Sequence, residues 1–196
     1  ASGPIPERYT EAVAVLAKLH AGQLPDNVLL GSETYRIPPY DLDALLIEVE
    51  LLTEWYVPHA AAHLSSGAIA TFGNLWRSTL REIIDGPKTW VLRDYHSPNI
   101  IWLPDREGLL RAGIIDFQDA LVGHPAYDLV SLLQDARRDV SPALEAEMLA
   151  YYNDTAKPDA DFAVHYALLG AQRNTKIIGI FTRLWKRDGK ARYLSF

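Results

Sequence analysis

A break in periodicity constrains this chain most. Near its middle, helical spacing gives way to three short apolar runs: Trp90-Val91-Leu92, Ile100-Ile101-Trp102-Leu103 and Ala112-Gly113-Ile114-Ile115. Polar turns separate them, including residues 104–108. Short apolar runs bounded by turn residues read as strands, and the last two read as a hairpin. On both sides the apolar spacing is helical. Residues 7–20 place Ala12, Val15, Leu16 and Leu19 on one face. Asp41 is placed to cap a helix that runs to about residue 57 and ends at Pro58. A third helix spans about 73–84 and stops at Gly86-Pro87. Four more follow, at about 127–138, 142–153, 160–170 and 172–187. Residues 21–40, with Gly22, Pro25, Gly31, Pro38 and Pro39, read as a long loop. The expectation is one domain over residues 1–196, of α+β class and mostly α, with a small β-hairpin insert.

The totals exclude several classes. A chain of 196 residues is long enough to bury a core without staples. It has no cysteine, so disulfides and thiolate metal sites are ruled out, as fits a reducing compartment such as the cytoplasm. No apolar stretch approaches the length of a membrane span. Residues 1–13 lack the basic and apolar pattern of a secretory leader. A net charge of −6 argues against a general nucleic-acid partner but not against a single bound nucleotide.

The loops flanking the β insert, residues 94–99 and 116–125, hold an unusual share of the chain's Asp, Asn, Gln and His. The first reads Leu92-Arg93-Asp94-Tyr95-His96-Ser97-Pro98-Asn99, and the second opens Ile115-Asp116-Phe117-Gln118. An Asp and an Asn five positions apart, then an Asp directly after an apolar strand and followed by Phe, is the order of a kinase catalytic loop and its metal aspartate. The chemistry has a physical reason. Phosphoryl transfer needs an acceptor hydroxyl in line with the γ-phosphorus and a magnesium ion on the phosphate oxygens. Magnesium takes oxygen donors and usually one or two protein carboxylates. Asp94 would orient or deprotonate the hydroxyl, and Asn99 and Asp116 would supply metal oxygens. Adjacent hairpin strands would bring those two together across 17 positions.

From Arg93 to Asp128 the sequence resembles the aminoglycoside phosphotransferase and choline kinase superfamily. Asp94-Tyr95-His96-Ser97-Pro98-Asn99 matches its D-x-H-x-x-N loop. Ile115-Asp116-Phe117 with Gly123-His124-Pro125-Ala126-Tyr127-Asp128-Leu129 matches its I-D-[FW]…G-x-P-x-x-D-L segment. Residues 92–139 and 172–190 are especially similar to bacterial sugar kinases that phosphorylate the anomeric hydroxyl of N-acetylmuramate or N-acetylglucosamine in cell-wall recycling. The resemblance implies a protein-kinase-like C-terminal lobe, ATP as donor, Mg2+ as cofactor and a small-molecule acceptor. It also implies that Asp128 braces the catalytic loop.

The chain departs from the family pattern in three ways. Leu92 stands where the loop usually begins with His. No Gly-rich loop followed by a strand lysine is present, so the N-terminal nucleotide lobe is expected to lie outside these residues. The helix near Phe196 is one that family members follow with more helix. The chain alone is therefore expected to be a poor catalyst. Other functions stay open beside the sugar kinase: a kinase of aminoglycosides or other small molecules, a pseudokinase-like binding module, and a magnesium-dependent phosphohydrolase.

Several residues keep two readings. His96 serves either the loop backbone or the substrate. Arg93 either neutralises a loop carboxylate or is solvated. Gln118 and Asp119 either face a polar substrate or lie on the surface. Glu50 and Trp55, with Glu48 and Tyr56, either line a sugar pocket or form the core and surface of an amphipathic helix. His59 and His63 have a zinc-compatible spacing but lack the glutamate of H-E-x-x-H.

Overall fold

The computed structural model describes residues 5–22, 25 and 27–196. The sequence readings at residues 1–4, 23, 24 and 26 lie outside them. Two compact units emerge within the span read as one domain. Ala1–Tyr40 with Pro87–Tyr166 forms one unit, and Asp41–Gly86 with Ala167–Phe196 forms the other.

The first unit opens with α1 (Pro6–His20), which buries Ala12, Val13, Leu16 and Ala17. A hairpin of β1 (Asn27–Leu30) and β2 (Glu33–Arg36) follows, in the span read as loop. Gly31 and Ser32 make its two-residue turn, and Gly31 takes a left-handed φ of 65°. Glycine at the first turn position is a hairpin signal in its own right. The surrounding prolines and glycines obscured it.

In the second unit, α2 (Leu42–Leu51) starts where expected. The Asp41 carboxylate accepts from the Ala44 N–H at 2.9 Å. The helix does not run evenly to Pro58. Residues 52–56 widen to π geometry, and the helix continues into a short α3 (Val57–His59) with Pro58 as its second residue. Gly179 sits opposite this change of pitch. A Cβ there would lie 2.3 Å from the Leu51 carbonyl carbon, so only glycine fits. The next helix, α4 (Ser66–Asp85), begins well before the expected start at residue 73. Ser65 caps it by accepting from the Ala68 N–H at 3.1 Å. Gly67 and Gly73 both lie inside it. His59 packs edge-on against Trp185, with ring centroids 4.7 Å apart, so its neighbour is aromatic.

Back in the first unit, β3 (Thr89–Val91) does not join the predicted hairpin. It pairs antiparallel with β6 (Leu121–Gly123), a strand the apolar runs did not reveal. The predicted hairpin does form, from β4 (Ile100–Trp102) and β5 (Ala112–Ile114), with Ile100 opposite Ile114. Helix α5 (Ala126–Leu133) is buried along its whole length, and α6 (Pro142–Ala156) packs on α1. The two last expected helices are one, α7 (Phe162–Asp188), which runs through Gly170 without a break. Among the described residues, no helix is long and apolar enough to cross a membrane.

Each unit has its own core. In the second, Leu45, Leu46, Val49, Leu80 and Ile83 are buried. Glu48 is buried beside them. It pairs with Lys176 at 2.6 Å and accepts from Gln172 Nε2 at 3.1 Å. In the first, Leu16, Tyr95, Tyr127, Leu129 and Met148 are buried. His124 and His165 are buried too, with His124 Nε2 3.0 Å from His165 Nδ1. The Ala126 N–H at the start of α5 donates to His124 Nδ1 at 3.2 Å.

Candidate active site

The first loop leaves β3 through a tight reversal. The Asp94 N–H donates to the Leu92 carbonyl at 2.8 Å, closing a three-residue turn centred on Arg93, whose φ is 66°. A non-glycine residue held there costs about 1–3 kcal/mol. Asp128, fully buried on α5, offsets that cost. Its carboxylate accepts from the Leu92 N–H at 2.6 Å and from the Arg93 N–H at 2.9 Å. Hydrogen bonds to a charged acceptor contribute about 1.5–3 kcal/mol each, enough to hold the turn. This brace grips the backbone of residue 92, so the loop keeps its shape with Leu92 where the family motif has His.

The rest of the loop is pinned from beneath. Tyr95 is buried and its hydroxyl donates to the Ala12 carbonyl at 2.8 Å. Burial and the nearby Asp128 carboxylate both push the Tyr95 pKa up, so it remains a neutral donor. His96 is also buried. Its backbone N–H donates to the Asp94 carbonyl at 3.0 Å, its carbonyl accepts from the Asn99 N–H at 2.9 Å, and its Nε2 lies 3.9 Å from Asp94 Oδ1. Asp135 adds a second brace, accepting from the Ser97 N–H at 3.3 Å. Sequence reasoning missed Asp135. The available signal was its place about two helical turns beyond Asp128.

The second loop leaves the hairpin at Asp116, which takes a φ of 61°. Aspartate tolerates this left-handed conformation better than most residues. The Ile115 N–H donates to the Asn99 carbonyl at 3.1 Å, extending the β4–β5 register to the loop ends. Asn99 Nδ2 then reaches the Asp94 carbonyl at 3.0 Å and Asp116 Oδ2 at 3.3 Å. Gln118 Nε2 donates to Asp116 Oδ1 at 2.7 Å. Asp94, Asn99, Asp116 and Gln118 thus gather at one end of the hairpin, with Asp94 and Asp116 exposed. Asp119 is exposed on the same loop. Arg93 sits with its guanidinium 5.8 Å from the Tyr40 ring. Glu50 and Trp55 belong to the other compact unit, where Glu50 is exposed and Trp55 half-buried.

The donor set fits a magnesium ion. Asp116 offers a carboxylate and Asn99 an amide that presents either its nitrogen or its oxygen by a half-turn of the side chain. One carboxylate and one amide oxygen suit a hard cation that keeps much of its water. Among the described residues, no three His, Cys, Asp or Glu side chains form a metal cluster. Next to these polar groups lies an apolar cavity of about 690 Å³, walled by Leu92, Ile114, Phe117 and Gln118 from the site and by Val28 and Tyr35 from the first hairpin. Its size suits a small molecule.

Comparison with known proteins supplies the family. The chain belongs to the phosphotransferase enzyme family (APH), whose model matches residues 3–168. It is 38% identical over 191 residues to an N-acetylmuramate/N-acetylglucosamine kinase of Caulobacter vibrioides, covering 96% of this chain and 52% of that protein. A Neisseria meningitidis serogroup B protein of the same name is 35% identical over 169 residues, 80% of this chain and 48% of its own length. The chain spans about half the length of these curated relatives. Its fold is similar to that of the ADP-bound aminoglycoside phosphotransferase APH(2'')-Ib, with a TM-score of 0.59 at 18% identity, covering 100% of this chain and 67% of that one.

Proposed function

We propose that the protein containing this chain transfers the γ-phosphoryl group of ATP, with Mg2+, to a hydroxyl of an amino sugar of the N-acetylmuramate/N-acetylglucosamine kind. The observation that carries this is the convergence of Asn99 on both the Asp94 carbonyl at 3.0 Å and the Asp116 carboxylate at 3.3 Å. Asp94 orients the acceptor hydroxyl and takes its proton. Asn99 and Asp116 hold the metal, which neutralises charge on the phosphate oxygens when bound. Arg93, His96 and Asp128 keep the loop in shape. Gln118 and Asp119 are the candidate acceptor contacts beside the metal residues. Glu50 and Trp55 are candidate sugar contacts on the second unit. The sugar preference rests on the names of the relatives.

Residues 1–196 serve as the C-terminal lobe. A nucleotide lobe elsewhere in the same polypeptide covers the donor phosphates. The exposed Leu30, Tyr35 and Phe117 around the apolar cavity support such a cover. The chain alone should therefore turn over ATP far more slowly than the full-length enzyme. The compartment that fits is the cytoplasm, and the pathway that fits is cell-wall recycling.

The test is an acceptor screen on the full-length enzyme with magnesium and ATP, reading phosphate position by NMR. Phosphorylation of an amino sugar at its anomeric oxygen is expected. Transfer to an aminoglycoside and to no sugar would overturn the acceptor. Asp94→Ala should lower turnover by about 10²–10⁴-fold while nucleotide binding persists. Ordinary turnover in that variant would remove Asp94 from its role.

A further inference from the structure

We propose that a second cavity, behind the catalytic loop, binds a small phosphate-bearing anion. The cavity has a volume of about 220 Å³, and its polar wall is Arg8, Tyr9, Ser97 and Arg138, with Trp102 beside them. All belong to the first compact unit. Arg8 and Tyr9 come from the first turn of α1, Ser97 from the catalytic loop and Arg138 from the turn after α5.

Three observations point to an anion. Tyr9 is only 5% exposed, yet its hydroxyl has no hydrogen-bond partner among the described residues. Buried hydroxyls are nearly always paired, so an unpaired one on a side chain that lines a cavity calls for a partner the described residues do not supply. Burial raises the Tyr9 pKa, so the group remains a donor. Second, neither Arg8 nor Arg138 has a carboxylate partner among the described residues. Their neighbours do: Arg111 pairs with Glu7 at 2.7 Å and Glu11 at 3.7 Å, and Arg137 lies 3.6 Å from Asp135. The Asp135 carboxylate is already engaged by the Ser97 and Arg137 N–H groups. Third, the wall lies at the N-terminal end of a 15-residue helix, the end that favours negative charge.

Size and chemistry narrow the ligand. The cavity is smaller than the roughly 300–1,000 Å³ of drug-sized sites, so a whole nucleotide is too large. Two guanidinium groups and a phenol suit a tetrahedral anion with several acceptor oxygens. Trp102 steadies one of the cations, with the Arg8 guanidinium 5.4 Å from its ring. Because Ser97 lies between His96 and Asn99, the bound anion bears on the catalytic loop. Linkage then requires that its affinity depend on that loop's state.

The experiment titrates inorganic phosphate into the full-length enzyme saturated with magnesium and ADP, followed by calorimetry. N-acetylglucosamine 1-phosphate serves as a second probe, and binding of the ester that is tighter than that of free phosphate and falls with the Arg8 and Arg138 substitutions would identify a sugar phosphate as the source. Substituting Arg8→Gln and Arg138→Gln together should weaken phosphate binding at least about tenfold, while Arg106→Gln, in the exposed turn between β4 and β5, leaves it unchanged. Should that double variant fail to fold, Tyr9→Phe decides, with a several-fold loss expected. No binding, binding indifferent to the cavity substitutions, or binding weakened equally by Arg106→Gln would overturn the proposal. So would a crystal structure of the full-length enzyme with other segments of its own chain filling the cavity.

Discussion

The two loops that carry the site's carboxylates are held by different means. Residues 93–99 are fixed from below. Asp128 and Asp135 reach up from the α5 region to backbone N–H groups, and Tyr95 and His96 are buried as anchors. Residues 115–119 are exposed, held by the hairpin register and by amides from Asn99 and Gln118. The first loop has its geometry imposed by buried charge. The second has a fixed starting point and a solvent-facing body. Such a division suits the roles proposed above, with Asp94 on the braced loop and Asp116 on the one that can adjust to a ligand.

Asp128→Ala should have the largest effect on stability, because it strands two backbone N–H groups and releases the turn at Arg93. A stability loss of about 2–4 kcal/mol is expected by denaturant titration, together with reduced activity. A variant with unchanged midpoint would erase the proposed contrast. Asp116→Asn should divide the two properties the other way. Asparagine tolerates the left-handed φ, so stability should stay within about 0.5 kcal/mol, whereas turnover should fall about 100-fold. A large loss of stability would mean that the second loop, too, is structural.

Acid should act on the support beneath the first loop. Burial holds the His124 pKa down to about 3, aided by His165, Lys88 and His20, and burial holds His20 down to about 4. Both bind more protons when unfolded. Their contribution is therefore complete above about pH 6.5 and is lost as pH falls toward 4, with a slope approaching about two protons. Thermal melts across that window check this, and His20→Gln should flatten the slope by about one proton. Gln118→Ala should have the smallest effect, a change of roughly threefold in apparent magnesium affinity through loss of one exposed hydrogen bond.

How much was legible in the sequence differs between these regions for a physical reason. The meeting of Asp94, Asn99 and Asp116 at one end of the hairpin follows from short-range spacing, and β4 and β5 pair as their apolar runs indicate. The β3–β6 pairing joins strands far apart in the chain, and nothing local specifies it. Asp135 lies outside the motif, so its role depends on α5 being packed under the loop. Glycines misled in both directions. Gly73 and Gly170, read as helix ends, sit inside helices, and Gly31 turns a hairpin within a span read as loop. The segment 172–176, similar to the sugar kinases, places Gln172 and Lys176 on Glu48, which serves the core of the second unit.

At the start of α5, one peptide group decides where the protons of the buried histidine pair reside. Because the Ala126 N–H donates to His124 Nδ1, the proton of that neutral ring sits on Nε2. That proton points at His165 Nδ1, which must then accept, leaving the His165 proton on Nε2 as well. The relay therefore has a polarity, like a diode in a circuit. Nitrogen chemical shifts should find both rings in the same tautomer, a spectroscopic signature that disappears if the start of α5 frays.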